Sequence, residues 1–128
     1  MVKRIVGGND IYIKWNILKN SGTTFSNPSV VLYDSFKKKC PFTVDIQDSG
    51  TSIVVNGKYA GKDQKSFGMY HLVFYNNYNE DNMNSLVYRN AFVLVHALKN
   101  SISSYGDNDA DEAITVELDS DLCVALVD

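Results

Sequence analysis

Cysteine, proline, histidine and tryptophan are scarce in this chain, whose 128 residues hold two Cys, two Pro, two His and one Trp. Cys40 and Cys123 stand far apart, with no CxxC pair and no Cys/His spacing of a metal site. That pattern speaks against a disulfide-stapled scaffold and against structural zinc; two reduced, buried thiols are expected, with a Cys40–Cys123 disulfide as the alternative. No apolar stretch is long enough to cross a bilayer as a helix; residues 92–95 are typical of what the chain offers. The opening MVKRIVGGND has two basic residues but neither an apolar core nor a small-residue cleavage site, so it does not read as a signal peptide. Cations are in deficit: twelve Lys+Arg against fifteen Asp+Glu give a formal charge of −3 and a pI near 5.2. General nucleic-acid binding needs the opposite balance. Neither nucleic acid nor a membrane is expected as a partner.

Signatures of catalysis are missing as well. His71 and His96 both sit inside apolar runs, where a histidine is usually structural, and no G-x-S-x-G, H-E-x-x-H or phosphate loop accompanies them. The one glycine cluster, residues 57–61 (GKYAG), lacks phosphate-loop spacing. No enzyme and no cofactor are expected.

What the chain does have is a period of two. Ile11, Ile13, Trp15 and Ile17 fall on one face, with Tyr12, Lys14, Asn16 and Leu18 on the other, so residues 10–19 read as a half-buried strand. Residues 20–24 (NSGTT) break it as a turn, and residues 29–33 (SVVLY) form a second strand. Phe42, Val44 and Ile46 alternate with polar residues in a third, which ends at Asp48-Ser49-Gly50. Residues 53–56 make a fourth, and the Asn56-Gly57 pair is expected to close it as a hairpin turn.

The strongest strand of the second half is residues 67–76, FGMYHLVFYN. Tyr70, Leu72 and Phe74 share one face there, and Met69, His71, Val73 and Tyr75 the other. After a polar loop over 76–84, residues 86–99 resume with apolar residues on both faces and read as a central strand. A second polar loop over 101–112 precedes the alternation of Ile114, Val116 and Leu118, and residues 122–127 close the chain. With 45% hydrophobic and 21% charged residues, this is enough for one folded domain over residues 1–128. The expected fold is an all-β antiparallel sandwich of about seven to nine strands. Its expected core is Trp15, Tyr70, Leu72, Phe74, Phe92 and Leu94.

Two loops offer chemistry. Asp107, Asp109 and Asp111 have the alternate spacing that can surround a hard cation such as Ca²⁺. Glu112 stands where an EF-hand needs glycine and Leu118 where it needs its bidentate glutamate, so a solvated acidic loop competes with the metal reading. Tyr59, Tyr75, Tyr78 and Tyr105 lie in or beside loops, where exposed rings would suit a sugar; Tyr75 and Tyr78 are the candidates for such a platform.

The frame Gly68-Met69-Tyr70-His71-Leu72 resembles the tyrosine corner of immunoglobulin-like sandwiches, with Leu72 where antibody domains carry cysteine. No inter-sheet disulfide is therefore expected. On a larger scale the chain resembles small immunoglobulin-like domains in structural proteins of tailed phages that infect gut bacteria. It is similar in outline to the N-terminal domains of phage upper-baseplate proteins. The match is carried by G-K-x-Q-x-x-x-G-x-Y (Gly61, Lys62, Gln64, Gly68, Tyr70) and by A-F-x-L-V (Ala91, Phe92, Leu94, Val95). This resemblance implies a non-enzymatic virion component. It would dock, adapt or anchor a fibre at the capsid, portal, tail or baseplate through contacts with other virion structural proteins. The alternative is a carbohydrate- or cell-surface-binding sandwich module.

Residues 122–127 add a candidate contact. In a strand, Leu122, Val124 and Leu126 point one way and Cys123, Ala125 and Val127 the other, so both faces are apolar. Burial against another chain, in a homo-oligomer or larger assembly, is expected there, with Leu122, Val124, Leu126 and Val127 as interface residues. The competing reading is a central strand of the same domain.

Overall fold

The two-residue period becomes two packed sheets in the computed structural model, which describes residues 2–18, 25, 27–76, 86–95, 114–118 and 124–125. The strands are β1 (Lys3–Val6), β2 (Ile11–Leu18), β3 (Pro28–Tyr33), β4 (Thr43–Asp48), β5 (Ser52–Tyr59), β6 (Gly68–Asn76), β7 (Leu86–Val95), β8 (Ile114–Leu118) and β9 (Val124–Ala125). A 3₁₀ turn, Gly61–Asp63, follows β5. The first sheet runs β1-β7-β6-β3 with β9 added to β7, and the second runs β4-β5-β2-β8. Strands β2, β5 and β4 thus lie opposite β3, β6 and β7, the partition of strands B, E, D and C, F, G in an immunoglobulin-like sandwich. The fold is a β-sandwich.

Two pairings depart from an all-antiparallel plan. β1 runs parallel to β7, and β8 runs parallel to β2. Each joins segments remote in the chain, so no hairpin dictates an antiparallel sense. β7 is central, as expected: β6 flanks one edge, while β9 pairs with Tyr88 and Arg89 and β1 pairs from Phe92 onward on the other. Between those two partners lies Asn90, buried although polar, whose Oδ1 accepts the Ala91 N–H at 2.8 Å. The amide side chain thus satisfies a backbone donor where the strand changes partner.

The core is where the alternation places it. Trp15, Tyr70, Leu72, Phe74, Phe92 and Leu94 are all fully buried. Tyr70 stacks on Phe92 with ring centroids 5.4 Å apart, and Phe25 meets Phe74 edge-on at 5.2 Å. Among the described residues, Trp15 Nε1 is the one buried side-chain polar atom without a hydrogen-bond partner. Cys40 is a free thiol, half-buried, and burial pushes its pKa up. That keeps it protonated and unreactive near neutrality.

One expected turn is absent. Asn56 and Gly57 lie inside β5, which continues to Tyr59. The hairpin turns earlier, at residues 48–52, where Asp48 Oδ1 accepts the Gly50 N–H at 2.8 Å. Ile53, Val55 and Tyr59 keep the inward alternation going, and Gly57 takes its inward place without a side chain. The Phe42 ring fills that space, lying where a Cβ on Gly57 would have to be.

Val124 and Ala125 add to the domain's own first sheet as β9, which has β7 as its partner among the described residues. Leu122, Cys123, Leu126 and Val127 lie outside the described residues.

Candidate functional site

The residues of the G-K-x-Q-x-x-x-G-x-Y motif meet at one end of the sandwich, where the β5–β6 connection grips the β1–β2 turn. Gln64 spans the gap: its Oε1 accepts the Gly8 N–H at 2.7 Å and its Nε2 donates to the Asn9 carbonyl at 2.8 Å. Gly61 packs directly on the Gly8 carbonyl oxygen, and its own N–H donates to Asp10 Oδ1 at 3.0 Å. Asp10 Oδ2 faces Lys58 Nζ at 3.6 Å. Beneath this grip lies the tyrosine corner. Tyr70 donates from its hydroxyl to the Ser66 carbonyl at 2.6 Å, four residues upstream. The Tyr59 hydroxyl sits between the Asp63 carbonyl at 3.1 Å and the Tyr70 oxygen at 3.2 Å. Gly61, Gln64 and Tyr70 therefore act on the fold, while Lys62 stays exposed. Removing the hydroxyl with Tyr70→Phe should cost about 1 kcal/mol, read as a lower urea midpoint with an unchanged slope.

This cluster also sets a pH dependence. The Gly61 N–H, with the Lys58 ammonium adding to it, holds the Asp10 carboxyl below the ordinary carboxylate value. Its stabilising contribution is present above about pH 4 and is lost as pH falls through the depressed folded value. Burial, reinforced by the Tyr70 hydroxyl, pushes Tyr59 well above the ordinary tyrosine value. Its contribution is complete below about pH 10 and is lost as pH rises further, because the unfolded chain ionises first. Urea midpoints across pH should fall at both extremes. Asp10→Asn should flatten the acid limb and Tyr59→Phe the alkaline one.

The outer faces of the two sheets differ in kind. On the first, Arg4, Val93 and Met69 lie in one row, and Ala91, His71 and Tyr33 in the next. Met69 is 38% exposed, while His71, Ala91, Val93 and Val95 are half-buried. Beside them Val31, Val73 and Tyr75 form a small buried cluster with Tyr33, whose hydroxyl meets that of Tyr75 at 3.0 Å. The strands of this sheet contain Lys3, Arg4 and Arg89 but no Asp or Glu. The second sheet is charged in both senses, with Lys14 and Lys58 against Asp45, Asp48 and Glu117. A groove of about 440 Å³ runs across its outer face beside Tyr12.

Tyr75 is no sugar platform: it is 1% exposed, because its strand is covered on both faces at that point. Tyr59, also expected at a loop edge, is equally buried as part of the corner. Sequence reasoning missed Tyr12 as an exposed ring on the second sheet, although the alternation of residues 11–18 already put it on the outward face. Tyr78, Tyr105, His96, Asp107, Asp109 and Asp111 lie outside the described residues. No group of His, Cys, Asp or Glu suited to a metal ion occurs among the described residues.

No family model, curated protein or solved structure matches this chain. Its surfaces and its sequence motifs are what bear on function.

Proposed function

We propose that this protein is a non-enzymatic structural component of a phage virion, a docking or adaptor domain that works through protein–protein contacts. The virion assignment follows the resemblance carried by the Gly61–Tyr70 and Ala91–Val95 motifs. The observation that supports docking is the outer face of the first sheet. It is apolar around Met69, Ala91 and Val93, it carries Arg4 and Arg89, and its strands lack carboxylates in a chain of net charge −3. Such segregation favours a partner surface that is apolar and rimmed by carboxylates, because opposite fields steer encounter and fix register.

The protein should be found by mass spectrometry in purified particles of the phage that encodes it. The paired substitution Met69→Glu with Val93→Glu should remove it from those particles, while the isolated domain keeps its strand-type circular dichroism and its melting midpoint. A protein missing from particles, or a double variant that still assembles normally, would overturn this reading.

A further inference from the structure

We infer that the outer face of the second sheet carries a binding groove for an uncharged saccharide, centred on Tyr12 and independent of the docking face. Strand register builds it. Thr43, Lys58, Tyr12 and Thr115 stand in one row across four strands, and Asp45, Asn56 and Lys14 in the row beside it. Thr115 comes from β8, so the parallel addition of that strand supplies one wall. At about 440 Å³ the groove falls within the range of small-ligand sites. A second depression of about 250 Å³ shares Thr43 and Lys58 with it, which makes the track continuous enough for more than one sugar unit.

The chemistry of the lining selects the ligand class. Tyr12 is 41% exposed, offering an aromatic surface to the C–H side of a pyranose ring. Lys58 Nζ lies 5.8 Å from that ring's centroid and is itself held by Asp10, so the ring has a fixed neighbour before any ligand arrives. Around it, hydroxyls, an amide, a carboxylate and ammonium groups provide both donors and acceptors, as sugar hydroxyls require. The lining carries both signs: a polyanion would meet Asp45, and a polycation would meet Lys14 and Lys58.

The test is an NMR titration of the ¹⁵N-labelled protein with mannotriose and with triacetylchitotriose, using sulfated dextran as the charged comparison. At least one of the two saccharides should shift amides of residues 12–14, 43–45 and 56–58 in a saturable, millimolar response. Tyr12→Ala should weaken that response at least tenfold. Asp45→Ala, on the exposed edge strand, should weaken it too, so the outcome does not hang on one variant's folding. Met69→Glu with Val93→Glu should leave it unchanged, which separates this site from the docking face. No saturable shift with either saccharide, a response that survives both groove variants, or an equal response to sulfated dextran would overturn the inference.

Discussion

Phe92→Ala should lower the unfolding free energy by about 3–5 kcal/mol, the range for truncating a buried aromatic. Phe92 is fully buried in the middle of β7, opposite Tyr70 on one side and beside β1 on the other. Its ring stacks on Tyr70 at 12° between planes, so truncation removes packing on the same tyrosine that makes the corner. Phe74→Ala belongs in the same range, since Phe74 is fully buried and meets both Phe25 and Tyr88, the latter at 6.0 Å. Domains are commonly stable by only about 5–15 kcal/mol, so either change should leave the protein close to its folding threshold. Urea titration followed by circular dichroism measures this directly. A loss under about 1 kcal/mol for both would contradict the core described here.

Gly61→Ala should be the most damaging small substitution, at about 3 kcal/mol, the upper end for overpacking. A Cβ at this position collides with the Gly8 carbonyl oxygen and crowds Asn9, which are backbone atoms. The turn that carries them is tied to Gln64 by two hydrogen bonds, so it cannot retreat without breaking them. Gly57→Ala makes an instructive comparison. Its Cβ would meet the ring of Phe42, a partly buried side chain at the margin of the core. Combining Gly57→Ala with Phe42→Leu should recover part of the loss, whereas no side-chain replacement in the β1–β2 turn should rescue Gly61→Ala. Thermal melts of these three variants, and of Gly61→Ala combined with Asn9→Ala, would show whether the rescue is confined to the Phe42 pair.

The strands with unbroken alternation were legible because burial on one face leaves a direct trace in residue order. β2 shows it most clearly: its burial alternates at every residue from Ile11 to Leu18. Tyr70 could be placed at its corner because the constraint is local, a hydroxyl reaching a carbonyl four residues back. β1 was not legible, since four residues make no period and its partner lies on β7. The Asn56-Gly57 pair misled because a turn-forming dipeptide also serves wherever a strand needs a missing side chain. Tyr75 looked exposed because a period of two tells which residues share a face, not whether that face is covered. The groove was invisible for a related reason. It exists through the lateral register of β4, β5, β2 and β8, which no single segment encodes.

The parallel closure of both sheets has a consequence for how the chain acquires its structure. Residues 3–6 find their strand partner at 92–95, and residues 11–15 find theirs at 114–118. Loop-closure entropy must be met before those contacts contribute anything, which places the domain among slow folders, on the millisecond-to-second scale. On the ribosome, at roughly 5–20 residues per second, β2 emerges seconds before β8 is made. Throughout that interval the apolar side of β2, with Trp15 at its centre, has one bare edge. A nascent chain in that state is a template for pairing with its neighbours on the same message, so its yield should depend on chaperone capacity more than its final stability suggests.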